Sequence, residues 1–302
     1  MDLMKYFEAK ITLPQWGKWH EVPQGNHPVG KSNETPRLLR SAGFTLAEGL
    51  ITIGIIGVIS ALTIPSLIQK YQEKRTINQL KQTYSILSHA IKMAIADEGD
   101  IDGWCSINES TYSQDYLDCS DKMGDLLSRY IKNIQKCKGV NSPVACFATD
   151  YDTRHNSNWI AQVWKYPQYR LINGASLSIQ AYNGDSLSRY WCKTDVNIKE
   201  GSSEVGIYGN RAYMMNCATI YVDINGFSKP NTDGKDLFAF QVYNNGIVPL
   251  GRKNVHSIIG FETCNGKRTG AAGSCTAWVL ENNNMDYLHC NDLSWEGKHK
   301  CK

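Results

Sequence analysis

No cysteine occurs in the first hundred residues of this 302-residue chain; all ten lie between Cys105 and Cys301. The chain also lacks any C-x-x-C pair, and the wide gaps between its cysteines argue against a zinc knuckle. An even number confined to one stretch fits disulfides made in an oxidising compartment. Charge of neither sign dominates: 32 basic residues stand against 29 acidic ones, for a net charge of +3. Bulk electrostatics therefore announces no partner and lends nucleic-acid binding no support. Two catalytic signatures are missing too, H-E-x-x-H and G-x-S-x-G. The seven histidines are scattered, no two at helical metal spacing, and His289 beside Cys290 reads as a loop neighbour. Internal repeats and low-complexity tracts are absent. The expectation is a protein that is not an enzyme.

What is present is organised along the chain. Residues 1–43 are polar, rich in Pro and Gly, and end in the basic pair Arg37 and Arg40. From Phe44 to Ile68 run 25 residues whose only charge is Glu48, enough to cross a bilayer as a helix, which takes about 20. After Lys70 the pattern turns amphipathic, with Ile77, Leu80, Tyr84, Leu87, Ile91 and Ala94 spaced by threes and fours. Gly99 is a stop signal. A single helix from Phe44 to about Glu98 is predicted, with residues 44–68 in lipid and 69–98 packing on a domain formed by 99–302. That domain should hold a short helix around Asp125–Ile134 and antiparallel strands. Alternation marks the strands Ala175–Tyr182 and Ala218–Ile224. Leu237–Tyr243 and Ile247–Leu250 flank the turn Asn244-Asn245-Gly246. The fold class expected is α+β.

The side of the membrane is set by two opposed signals. Lys70, Lys74, Arg75 and Lys81 follow the span, which taken alone would place the C-terminal side in the cytoplasm. Disulfides demand the oxidising face instead, and that is the orientation expected. An ordinary signal peptide is disfavoured, because the apolar run exceeds an h-region and no small-residue cleavage site ends it.

Arg40-Ser41-Ala42-Gly43-Phe44-Thr45-Leu46-Ala47-Glu48 resembles the leader junction of type IV prepilins and type II secretion pseudopilins. The likeness is closest over residues 40–70, including Gly54, Gly57 and Pro65. It implies a 43-residue leader, longer than is usual in that family. It implies cleavage by a prepilin peptidase between Gly43 and Phe44 and N-methylation of Phe44. Glu48 then becomes the fifth residue of the mature chain. A carboxylate in hydrocarbon needs a partner or a protein surface, and the new α-amine of Phe44 on a neighbouring subunit would supply one. Gly54 and Gly57 permit close helix approach, and Pro65 removes one helical hydrogen bond, so that this stretch bends or simply packs.

The resemblance implies a structural subunit, of minor type given the domain's size. Its partners would be other pilin or pseudopilin subunits, the peptidase, the inner-membrane assembly platform and, before assembly, membrane lipid. Its place would be the inner membrane with the domain outside the cytoplasm, and then a filament. An adhesive or DNA-capturing tip protein and a signal-anchored periplasmic enzyme are the alternatives. Loops like Asp223-Ile224-Asn225-Gly226, with Pro230, Asn231, Gly234 and Asp236 following, recur in such domains, and a nearby acidic loop binds calcium in some. Asp223, Asn225, Asp233 and Asp236 offer the oxygens calcium prefers; the other reading is Asp and Asn bonding their own backbone in turns. Sequence does not choose among the possible cysteine pairings. Pairing neighbours gives Cys105–Cys119, Cys137–Cys146, Cys192–Cys217, Cys264–Cys275 and Cys290–Cys301.

Overall fold

In the computed structural model the described residues are 45–104, 112–137, 146–152, 163, 165–181, 192, 206–208, 211–213, 216–252, 261–264 and 273–301. The chain divides into two compact units, Met1–Ile55 and Ile56–Lys302. The described part of the first is the start of helix α1, Leu46–Glu98. The second carries the rest of that helix and an α+β domain.

In the second unit the polar half of α1 is the spine of the domain. Ile77, Leu80, Thr83, Leu87, Ala90, Ile91 and Ala94 are buried along one stripe, as a helix period requires. They pack on the sheet, where the Tyr84 ring stacks on Phe240 at a centroid distance of 5.6 Å. The helix stops where the sequence changes to Gly99, whose φ of +79° is open to glycine at little cost. Its N–H donates to the Ile95 carbonyl at 3.0 Å, closing the last turn. Beyond a 3-10 turn at Ile101–Gly103, the Ile101 N–H donates to Asn244 Oδ1 at 2.8 Å, which ties this helix end to a β-turn.

Helix α2, Tyr112–Ser128, differs from the segment expected around Asp125–Ile134. Its buried side, Cys119, Ser120, Met123, Gly124 and Leu127, has helical spacing but includes Ser and Gly, so hydrophobicity alone does not reveal it. A Cβ at Gly124 would collide with the Tyr169 ring and displace it. The helix ends as Arg129 and Tyr130 donate to the carbonyls of Leu126 and Leu127, a tightened 3-10 pattern, before Asn133 adopts φ +57°.

Strands β1 (Gln135–Lys136), β2 (Gln168–Arg170), β3 (Ser176–Ala181), β6 (Ala218–Asp223), β7 (Leu237–Tyr243) and β8 (Gly246–Pro249) form one sheet in that order. Every pairing in it is antiparallel. Strands β4 (Gly206–Tyr208) and β5 (Arg211–Tyr213) make a separate hairpin. Period-two alternation sends Ile220, Val222, Phe238, Phe240 and Val242 to the core shared with α1 and α2. Tyr221, Leu237 and Ala239 point the other way, under Phe147, Tyr151, Val163 and Leu250. Two short helices follow, α3 (Phe261–Cys264) and α4 (Thr276–Asn282). The Phe261 ring stacks on Trp278 at 3.9 Å.

Candidate assembly site

The first turn of α1 is closed by a reciprocal pair. The Thr45 N–H and the Thr45 hydroxyl both donate to Glu48 Oε2 at 2.9 Å, while the Glu48 N–H donates to Thr45 Oγ1 at 3.2 Å. This is a capping box, in which residue N3 and the N-cap satisfy each other's orphan donors. The T-x-x-E signal for it stands in the sequence ahead of an apolar run, but Glu48 is there read only as an ion-pair partner. Gly43 and Phe44 lie outside the described residues, and so does the junction between them.

An 18-residue stretch of α1 with mean hydropathy 2.2 has none of its residues buried. Leu46 is 84% exposed and Leu62 75%. A core helix of a soluble protein would hide such residues, whereas here none of the described residues covers them. Three polar side chains of this half of the helix bond the helix itself. Thr52 Oγ1 donates to the carbonyls of Glu48 and Gly49, at 2.8 and 2.9 Å. Thr63 Oγ1 donates to Ile59 O at 2.9 Å, and Ser66 Oγ to Thr63 O at 3.0 Å. Such closure is what hydrocarbon requires of polar groups. A Cβ at Gly54, or at Gly57, would meet nothing within 4 Å, so among the described residues none approaches either glycine closely. Pro65 sits inside α1, which continues through it as helix.

The loop between β6 and β7 is a knot of carboxylates and peptide N–H groups. Asp223 Oδ1 accepts from the N–H of Asn225 (3.0 Å) and of Gly226 (2.7 Å), and Oδ2 accepts from the Tyr151 hydroxyl. Asp236 accepts from the N–H of Asn231 and of Thr232, both at 2.6 Å. Asp233 turns away to accept from the Gly273 N–H at 2.8 Å. Burial, with the nearby Asp236 charge, pushes the Asp223 carboxyl up to about 8. Burial also raises Asp236, to about 6, against the opposing pull of its N–H donors. The Tyr151 hydroxyl is pushed upward by burial and by Asp223.

Asp223, Asn225 and Asp236 thus meet in this loop, while Asp233 turns away to the Gly273 N–H. Among the described residues no group of three or more His, Cys, Asp or Glu is arranged to hold a metal ion. Asp223 and Asp236 thus bond backbone N–H groups of their own turns, as Asp does in loops. Tyr151 and Asp152, which join the knot, carry no sequence signal. They arrive from some 70 residues upstream, with the Asp152 N–H donating to Asn231 O at 2.9 Å.

Disulfides join Cys137 to Cys146, Cys192 to Cys217, Cys264 to Cys275 and Cys290 to Cys301. Cys119 is also disulfide-bonded, and Cys105 lies outside the described residues. Bridges closing loops of this size contribute about 2–4 kcal/mol each. The C-terminal segment is further fastened to α1. His289 Nε2 lies 2.8 Å from Glu73 Oε1, and Lys81 Nζ donates to Asn283 Oδ1 at 2.8 Å. One long apolar helix with several disulfides is the signature of a membrane-anchored extracytoplasmic protein.

Comparison with known proteins adds two likenesses. The model described as "Family of unknown function (DUF6613)" matches residues 66–283. "Prepilin peptidase-dependent protein D" of Escherichia coli (strain K12) is 33% identical over 63 residues, which are 21% of this chain and 42% of that protein. The chain therefore spans less than half the length of this curated relative. No solved structure matches.

Proposed function

We propose, from the premise that this chain belongs to the Family of unknown function (DUF6613), that it is a minor structural subunit of a type IV pilus or type II secretion pseudopilus, and not an enzyme. The observation that carries the reading is the division of one helix. Its first part buries no residue of an apolar 18-residue stretch, and its second part is built into the core of a disulfide-bearing domain. A subunit that must sit in lipid and then pack helix against helix needs this division. The distant likeness to a protein named for its dependence on prepilin peptidase supports it. Cleavage falls between Gly43 and Phe44, and Phe44 becomes the methylated N-terminus. Glu48 lies in the first turn of the mature helix, where its carboxylate meets the Phe44 amine of a neighbour. Gly54 and Gly57, which no described residue approaches, are where neighbouring helices approach.

The test is co-expression with a prepilin peptidase, followed by intact-mass measurement. The expected product lacks residues 1–43 and carries one added methyl group. A chain that keeps its first 43 residues beside an active peptidase refutes the reading.

A further inference from the structure

A cleft of about 750 Å³ opens between α1 and the turns at one end of the sheet. Pro65 and Ile68 line it from the helix, Asn173 from the β2–β3 turn, and Lys229 and Lys235 from the β6–β7 loop. Pro65 and Ile68 close the apolar stretch, so the cleft and both turns lie where that stretch would leave the bilayer. Its charges are unequal in freedom. Of the lining carboxylates, Glu73 bonds His289 and Asp236 takes two backbone N–H groups. Arg75, Lys229 and Lys235 line the same space and form no ion pair among the described residues.

The apolar surface repeats this placement. Outside α1, the exposed large hydrophobic residues among those described are Ile172, 72% exposed, and Phe227, 50% exposed. They sit on the two turns that frame the cleft. The Arg170 guanidinium lies over the Phe227 ring at 5.2 Å, adding a further cation beside the apolar tip. An apolar tip beside basic side chains is the composition that settles at a bilayer surface. Negative lipid headgroups attract each such cation when it lies close to the surface.

We propose that this end of the domain docks on an anionic phospholipid bilayer, with lipid phosphates in the cleft against Arg75, Lys229 and Lys235 and with Ile172 and Phe227 dipped into the interface. The proposal rests on the reading of α1 as a membrane anchor. It gives the unassembled subunit a fixed posture on the membrane, released when the helix leaves lipid.

The test reconstitutes the full chain in nanodiscs of phosphatidylcholine alone or mixed with phosphatidylglycerol. Amide exchange is then followed at residues 172–174 and 226–229. Exchange there should slow about tenfold in the anionic discs. A Lys229→Gln/Lys235→Gln double variant should return it toward the neutral-disc rate, while exchange in β7 stays unchanged in both. Equal exchange in the two lipids, with the chain embedded in each, refutes docking and leaves the anchor intact. Slowing that depends on the number of chains per disc rather than on lipid charge assigns the surface to a second copy and overturns the proposal. A chain that co-purifies with neither disc refutes the anchor and the docking with it.

Discussion

Leu80 and Leu62 lie on the same helix and differ in what they touch: Leu80 is fully buried and Leu62 is 75% exposed. The same substitution, Leu→Ala, therefore separates the two jobs of α1. At Leu80 it removes three carbons from a closed core, a transfer loss of about 2.4 kcal/mol at 0.8 kcal/mol per methylene. Incomplete collapse of the cavity brings the expected cost to about 3 kcal/mol or slightly more. Domains of this size are stable by only about 5–15 kcal/mol, and the melting midpoint should drop by about 6–12 °C. At Leu62 no core contact is lost, and domain stability should stay within about 0.5 kcal/mol. Both are measured on the full chain in detergent micelles with disulfides intact, by thermal and denaturant unfolding followed through tryptophan fluorescence. Filament or pseudopilus incorporation is scored separately. Leu62→Ala should weaken incorporation without loosening the domain. Equal destabilisation by the two substitutions would refute the division of the helix.

Glu48 is tested by two replacements. Gln keeps the capping geometry with Thr45 and removes the charge, whereas Ala removes both. If the carboxylate pairs with a neighbour's amine, both variants stay in the membrane and drop out of sheared filaments. Only Glu48→Ala should then speed amide exchange in the first turn. Normal assembly of Glu48→Gln would leave Glu48 a cap and nothing more. Asp223→Asn addresses the buried carboxylates. With the folded-state Asp223 raised from 3.8 to about 8, the folded state holds a proton that the unfolded chain gives up from about pH 4. Its contribution to stability is therefore full below that pH and is lost as the pH rises through about 8. Asn does not titrate, still accepts from Asn225 and Gly226, and donates to Tyr151. The variant should gain melting temperature relative to the parent between pH 5 and pH 8.5, and parallel curves would contradict the assignment.

Much of this architecture is legible in the residues, because the signals are local and periodic. The strand at Leu237–Tyr243 coincides with its expected bounds, and α1 ends at the glycine that chain chemistry nominates. Helix α2 escapes because its buried face uses Ser120 and Gly124, whose role is to admit Tyr169 from another element. That is a tertiary reason with no local trace. The β6–β7 loop shows the same limit. Asp and Asn at short spacing suit a cation and a set of turns alike, and two donors that hold these carboxylates, Tyr151 and Gly273, are both distant in sequence. At the head of α1 the information is present twice over, since T-x-x-E is both a cap and the setting of a lone acid. An eye drawn to one meaning passes over the other.

Because residues Ile77 to Ala94 are part of the core rather than a tether to it, a fragment cut after Ile91 would forfeit Ile77, Leu80, Leu87, Ala90 and Ile91 from its own interior. A workable truncation has to begin before Ile77. The same construction governs how load is carried. A pull along the helix from its lipid end meets a long row of interlocked side chains, from Ile77 through the Tyr84–Phe240 stack to Ala94. Such a seam is loaded in shear all at once, so tension reaches the sheet without first peeling the spine away.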